Sequence, residues 1–515
     1  MASTEQKTWR AALTFAGGAV IAQYLFGSGP IVAPASSSLE ACLNDVCSGR
    51  DDCVRFGNTA EWAQPFNLGQ SSVPAAIIRP KDAQEIAGVV KCALKHDTKV
   101  QAKAGGHGFG KPFATGTKCA DFNLLGLGGE DGAISVDMHH FQYTSVDMMT
   151  PSRDVRVGGG TRLGQIDEHL RGHQRVIPHG LCGGIGIGGH ATVCSDIVKG
   201  GIGPMSRMWA TTLDHVEEVE VVTANGTVTR ASNHQNSDLF FALRGAGAGF
   251  GIVTEFVMKT HPAPEEVFFY TNDLKFSNLD DKVEAFHSWQ SLVADPTLDN
   301  RLGTDFALTP SGVRISATWY GSWGELHQSN IMGRLPAGGA ASLSQETWDS
   351  SIAKNAAEES RHLSASPGKF FSKGLGFTPD DILSRPAIAE LFELLESQAG
   401  DNSWSIRFQA VGGAISEVPT GATAFAHRDK FMFYQSYAAG ECKTTRSFLE
   451  NFHRKILNTV PTEATGTYPG FVDTSLMDAQ ESYWQGNALA LEQIKTAWDP
   501  KDVFRNPQSI RPITA

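Results

Sequence analysis

The chain has 515 residues, 41% of them hydrophobic, with 54 glycines and 23 prolines; it is long enough for two or three sizeable cores, which excludes a disordered tail or a small disulfide scaffold. Its 43 basic and 55 acidic side chains give a net charge of −12 with no basic stripe, which argues against nucleic acid as a partner. Glycine exceeds a tenth of the chain without a collagen period, against a usual share of about 7%, so these residues belong in tight turns or against a ligand.

At the N-terminus, Lys7 and Arg10 precede an apolar run from Ala11 to Phe26, and Ala33-Pro34-Ala35 offers an A-x-A cleavage site. This reads as a secretory signal; a membrane anchor and an ordinary N-terminal helix are the alternatives. The run is short for a membrane span and contains Gly17, Gly18 and Gln23. No later transmembrane segment is visible, and no stable membrane partner is expected. Cys42, Cys47 and Cys53 cluster next, which fits an oxidising compartment. The eight cysteines form no paired C-x-x-C sets, so no metal site is expected.

A strand is predicted over 75–78, and Asp82-Ala83-Gln84-Glu85 reads as a capping box opening a helix whose apolar face is Ile86, Val89, Val90, Ala93 and Leu94. The strand 99–103 runs into Gly105-Gly106-His107-Gly108-Phe109-Gly110. Strands at 134–138 and 155–157 follow, then Gly158-Gly159-Gly160 and a helix over 161–170. After a glycine-rich stretch from Gly180 to Gly203, residues 219–229 form a hairpin about Asn225-Gly226, which also carries the sequence's one glycosylation sequon, Asn225-Gly226-Thr227. A segment at 239–243 leads through Gly245–Gly251 into a strand at 252–257, and His261-Pro262-Ala263-Pro264 breaks the pattern. Beyond it, strands (313–319, 430–437) mix with helices (281–292, 387–397), which is α+β in character; a last helix spans 488–498.

Neither Gly184-Ile185-Gly186 nor Gly245-Ala246-Gly247 sits between the first strand and helix of a βαβ unit, so a Rossmann fingerprint does not fit. Several loops of closely spaced glycines instead let successive backbone N–H groups approach an extended charged ligand such as a dinucleotide. Two of these loops carry a nucleophile, His107 and Cys182. Taken singly, a hydrogen-bonded loop histidine and a small buried thiol remain the plainer readings.

Taken together, AGGHGFG, HGLCGGIGIGGH, LFFALRGAGAGFGIVTEF, YWQGN and WDPKDVF occur in an order that resembles the berberine-bridge-enzyme-like FAD-linked oxidases over about residues 40–515. The fungal secondary-metabolism branch of that family is the nearest in tone. The resemblance implies an α+β fold. It comprises a PCMH-type FAD-binding domain of two α/β subdomains (36–262), an α/β substrate domain with an antiparallel sheet (263–465) and a C-terminal segment returning to the flavin domain (466–515), after an N-terminal hydrophobic segment (1–35). It implies FAD held by two covalent bonds, from His107 to the 8α-methyl group and from Cys182 to C6. The loop Gly105, Gly106, Gly108, Phe109 and Gly110, together with Gly186, would meet the cofactor, His190 would support the ribityl side, Val253 would touch the flavin nucleotide, and Tyr483 and Asn487 would close over it. It also implies a Cys42–Cys92 disulfide, with O₂ and a small molecule as reactants.

Two departures stand out. The carbohydrate oxidases of the family use a tyrosine base in a Y-x-N-Y pattern assisted by an Asp; here the pattern reads Tyr468-Pro469-Gly470-Phe471, and the assisting position falls on Gln409. Neither Phe471 nor Gln409 can take a proton. Tyr468, Tyr437 and His427 are the substitute candidates, each with a structural role as the plainer reading. Residues 194–199 lengthen the segment between His190 and Gly200-Gly201, as a real loop near the flavin or as a retained intron fragment. The expected activity is hydride transfer from an alcohol of a lipophilic, polyketide-type metabolite to FAD and on to O₂ as H₂O₂, with a coupled [4+2] cyclisation of the product implied by the fungal branch. An oligosaccharide oxidase and a flavin-fold binding protein without turnover are the alternatives.

Overall fold

A computed structural model describes residues 38–57, 62, 73–107, 131–149, 151, 153–192, 201–362, 368–398, 403–439, 442–460, 466–470, 472–473 and 475–513. The N-terminal hydrophobic segment (1–35), Gly108, Phe109, Gly110, Phe471 and residues 194–199 lie outside the described residues.

The first layer is a four-stranded sheet in the order Val54–Phe56, Ala76–Ile78, Ile134–Asp137, Val100–Lys103; the last three strands are parallel and the first is antiparallel. The helix Ala83–Lys95 covers it with Ile86, Val89, Val90 and Ala93 buried, at the spacing the sequence predicts. Asp82 caps this helix by accepting from the Glu85 N–H (2.9 Å). The reciprocal half of the expected capping box is displaced by one residue: the Glu85 carboxylate accepts from the N–H of Lys81 and pairs with Arg50. The helix Leu39–Cys47 is tied to it by the Cys42–Cys92 disulfide, and a second disulfide, which the sequence did not announce, joins Cys47 to Cys53.

The second layer is an antiparallel five-stranded sheet ordered Thr144–Val146, Val155–Gly158, Ile252–Met258, Val216–Val222, Val228–Ser232. The Asn225-Gly226 hairpin joins its last two strands, with Gly226 at φ +74° and the Asn225 side chain accepting from the Thr227 N–H. His261-Pro262 does more than break the pattern. It pairs antiparallel with Arg175–Val176, and His261 stacks on Trp209 and bonds His215 (2.7 Å).

The third layer is an antiparallel seven-stranded sheet: Ala340–Glu346, Val267–Leu274, Gly312–Tyr320, Leu302–Thr309, Ser403–Ala410, Met432–Ala439, Phe370–Phe377. Helices Leu279–Val293, Arg385–Gln398 and Cys442–Thr459 pack on one face, where Phe286, Trp289, Phe306 and Phe392 are buried. The opposite face turns towards the flavin-type layers through Phe433 and Tyr437.

The chain then returns. In the helix Ala488–Trp498, Lys495 is fully buried and donates to the carbonyls of Gly249 (2.7 Å) and Phe504 (3.0 Å) while pairing with Asp499 (2.7 Å). Asp499 in turn accepts from the N–H groups of Val503 and Phe504. Lys495 and the WDPKDVF motif together form a latch that fixes this returning segment onto the glycine loop at 247–249.

Candidate functional site

The strand Val100–Lys103 delivers Ala104–His107 to one wall of a cavity. The opposite wall comes from Ile185–Gly189, and the floor from Gly159, Gly251 and Val253. The two walls touch backbone to backbone: a Cβ at Gly105 would stand 2.6 Å from the Gly186 nitrogen, and one at Gly186 would stand 2.5 Å from the Gly105 nitrogen. Neither backbone can retreat, so both positions require glycine. A Cβ on Gly159 would likewise strike the Val253 carbonyl. The cavity is a cradle walled largely by bare main chain, a surface that an extended dinucleotide such as FAD can approach closely.

At one end of this cradle, His107 meets the loop that carries Cys182. The His107 Nε2 lies against Gly184, where a Cβ would stand 3.1 Å away, and Gly184 follows Cys182 by two residues. The segment Thr161–Gly164 holds the cysteine loop in place: Leu163 N–H donates to Ile185 (2.9 Å), Gly164 N–H to Gly183 (3.0 Å) and Ile187 N–H to Thr161 (2.9 Å). Cys182 joins neither disulfide and is half-buried. Burial, followed by the nearby Arg162 guanidinium, pushes the His107 pKa down to about 4. The imidazole is therefore neutral near pH 7 and keeps a lone pair for bond formation.

His190 is fully buried but does not line the cavity. Its ring accepts from the N–H groups of Gly180 (3.1 Å) and Gly201 (3.2 Å), clamping the two ends of the cysteine loop. Beside it, burial opposes charge on His179, but the Asp167 carboxylate at 2.7 Å raises its pKa overall. Val253 lines the cavity as expected.

A second cavity adjoins the first through Ala248 and is lined by Tyr483, Trp484, Val472 and Gln508. The Tyr483 hydroxyl accepts from the Asp473 N–H (2.9 Å) and donates to Gln508 (3.1 Å). Asn487 turns away from both cavities; its amide donates to the carbonyls of Thr420 (3.1 Å) and Thr423 (3.2 Å).

On the side of the seven-stranded sheet, Tyr437, Tyr468, Phe425 and Phe433 form a buried aromatic cluster against which Cys182 packs. Phe425 and Phe433 cage Tyr468 at 5.9 and 5.8 Å between ring centroids. Gln409 lies directly opposite both Phe433 and Asp305 in the sheet register, one row from the buried Arg407, which pairs with Asp305 (2.8 Å) and Glu359 (2.7 Å). His427 points its Nε2 at the Tyr483 carbonyl (3.1 Å), and burial, then Lys430, pushes its pKa down to about 3.

The structure thus brings His107, Gly105, Gly106, Gly186 and Val253 together around one cavity, while Cys182 lies outside its lining and packs against the cluster that holds Tyr437 and Tyr468. His190 and Asn487 act one layer out. Sequence reading passed over Arg162, whose guanidinium donates to the Gly184 carbonyl (3.2 Å), and Lys495. A lysine in an otherwise apolar helix face was the available signal for the latter; Arg162 left none.

The chain is similar to known proteins over nearly its whole length. Residues 74–232 match a family model described as FAD binding domain, and residues 467–511 match one described as berberine and berberine like. The FAD-linked oxidoreductase sorD of Penicillium rubens is 35% identical over 493 residues, covering 93% of this chain and 100% of that protein. Among solved structures, the xylooligosaccharide oxidase from Myceliophthora thermophila C1 in complex with xylobiose superposes with a TM-score of 0.80 at 27% identity, over 93% of this chain and 100% of that one. The glucooligosaccharide oxidase from Acremonium strictum, whose structure describes a 6-S-cysteinyl, 8α-N1-histidyl FAD, gives a TM-score of 0.78 at 27% identity, over 93% and 100% of the two chains.

Proposed function

Because the chain belongs to the berberine-bridge-enzyme-like family of FAD-linked oxidoreductases, we propose that it holds its FAD through two covalent bonds, at His107 and Cys182, and oxidises an alcohol of a lipophilic, polyketide-type metabolite. The observation that carries the first half is the meeting of the two nucleophile loops at Gly184. The bound flavin supplies the hydride acceptor and returns the electrons to O₂ as H₂O₂.

The chain's own residues then have distinct tasks. The glycine walls at 105–106 and 186–189 receive the pyrophosphate side of the cofactor through main-chain N–H groups. The aromatic cluster beside Cys182 excludes water and seats an apolar substrate. Gln409 positions it by hydrogen bonding, and Tyr437, acting as its phenolate, is the residue that takes up the substrate hydroxyl proton. Tyr468, caged by two phenyl rings, shapes the wall. The replacement of the family's tyrosine base by Phe471 supports a lipophilic substrate over a sugar. An apolar wall of this kind also suits folding of the oxidised chain for a subsequent [4+2] cyclisation. We divide the chain at 262/263 and 465/466 into flavin, substrate and returning segments. The two disulfides and the exposed sequon at Asn225 support passage through the secretory route.

The test is a pair of measurements on the purified protein. Acid precipitation should leave the yellow colour in the pellet, with flavin mass on the peptides containing His107 and Cys182; colour in the supernatant refutes the covalent reading. Peroxide release should follow addition of lipophilic primary alcohols. Release with xylo- or cello-oligosaccharides alone supports the sugar-oxidase alternative, and no release with any alcohol supports a binding protein without turnover.

A further inference from the structure

Arg162 stands at the point where the His107 and Cys182 loops meet. It follows Gly158-Gly159-Gly160-Thr161 and precedes the helix Leu163–Arg171. Its backbone forms an isolated antiparallel bridge with Gly186, and its N–H donates to Gln165 (2.8 Å). From there the side chain reaches between the two loops. Nη1 donates to the Gly184 carbonyl (3.2 Å), and a Cβ on Gly105 would stand 2.8 Å from the same atom. Gly105 precedes His107 by two residues and Gly184 follows Cys182 by two. One guanidinium therefore touches both loops, and the His107 Nε2 leans on the same Gly184.

We propose that Arg162 is a positioning residue for cofactor attachment, holding the His107 and Cys182 loops at the single spacing at which both can bond one flavin ring. This rests on the covalent reading given under the proposed function. At His107 the step forms one C–N bond to the 8α carbon while a methyl C–H and the imidazole N–H are lost; the two electrons pass to the flavin and then to O₂, which leaves with the two protons as H₂O₂. At Cys182 the thiol S–H and the C6–H are lost as the C–S bond forms, with the same two-electron transfer to a second O₂. Each bond needs its nucleophile held near its carbon, and two bonds to one rigid ring tolerate little error in the distance between the nucleophiles. The positive charge next to His107 adds a second effect in the same direction, since it disfavours the protonated imidazole, which has no lone pair to donate.

The experiment compares the full chain with Arg162→Ala and Arg162→Lys, harvested at a series of times after induction. It reads, by peptide mass, the fraction of bound flavin attached at both positions. Arg162→Ala should be folded and contain FAD but attach at both positions on the order of tenfold more slowly or worse, given the steep cost of small misplacements. Arg162→Lys should recover part of the loss, because it keeps a cation and one donor. A residue needed only for folding would instead lower total flavin and melting temperature together, leaving the doubly attached fraction of the remaining flavin unchanged. That unchanged fraction in Arg162→Ala, or in Arg162→Lys if only that variant is soluble at a lowered melting temperature, overturns the assignment of Arg162 alone. Absence of attached flavin in the unaltered protein overturns this assignment and the covalent reading together.

Discussion

Lys495 and Asp499 form an ion pair at 2.7 Å in which neither side chain is exposed to solvent, and the same ammonium donates to the carbonyl of Gly249 at 2.7 Å. Such a pair is costly to break from one side, because the remaining charge is stranded in a low-dielectric interior. Lys495→Met should lower stability by about 3–5 kcal/mol and loosen the neighbouring Ala248 wall of the cofactor cavity, seen as a lower melting temperature and reduced flavin content. A melting temperature equal to that of the unaltered protein would show that the latch is not a stability determinant.

The cradle walls predict a different failure. Gly186→Ala places a methyl group against the Gly105 nitrogen and the Ala104 Cβ. The loop must shift, so FAD content at purification should fall sharply. Gly324→Ala, where a Cβ meets nothing within 4 Å, should leave it unchanged. Equal flavin content in the two variants would mean that the close approach does not set the cavity's shape.

The two tethers can be separated. His107→Ala should retain one bond through Cys182, and Cys182→Ala one through His107; the double variant should release all its flavin on acid precipitation. If His107→Ala also releases its full complement, Cys182 carries no bond.

Among the aromatic residues behind Cys182, Tyr437→Phe should lower kcat by about 10²-fold, the lower end of what a positioned proton acceptor contributes. Flavin attachment should be untouched. Tyr468→Phe should cost much less, because Tyr468 is enclosed by Phe425 and Phe433. The reverse order of effects would move the proton-accepting role to Tyr468.

His427 gives a pH dependence. Burial holds its folded pKa near 3, below the ordinary histidine value of 6.5. Between these values the unfolded chain binds a proton that the folded chain does not. Its contribution is therefore complete above pH 6.5 and is lost as pH falls from 6.5 towards 3, by a few kcal/mol in the limit. Denaturant titrations of the unaltered protein and of His427→Gln should differ in slope across that range, the variant being flatter. Parallel curves would exclude His427 as a source of acid sensitivity.

Much of the molecule could be read from its side chains. The helix Ala83–Lys95 and the helix Ala488–Trp498 show their apolar spacing openly, and His107 and Cys182 are conspicuous as nucleophiles set among glycines. What escaped was contact made through the main chain. Arg162 touches a carbonyl 22 residues further on, His190 clamps two backbone N–H groups, and His261-Pro262 finds its partner strand 86 residues earlier. Main-chain partners can be any residue, so they leave no trace in composition or periodicity. The helix Trp348–His362, with mixed polarity, and the second disulfide, one of several pairings open to clustered cysteines, were hidden for related reasons.

The returning C-terminal segment has a consequence for the order of assembly. Phe504 lines the cofactor cavity, Val503 bonds Val100 in the first sheet, and Lys495 secures the loop at Gly249. These residues leave the ribosome after both upstream sheets have been synthesised. Until then the cradle lacks a wall. A chain that stops short of this segment therefore offers flavin no finished seat, and the segment must dock before the cofactor can be seated.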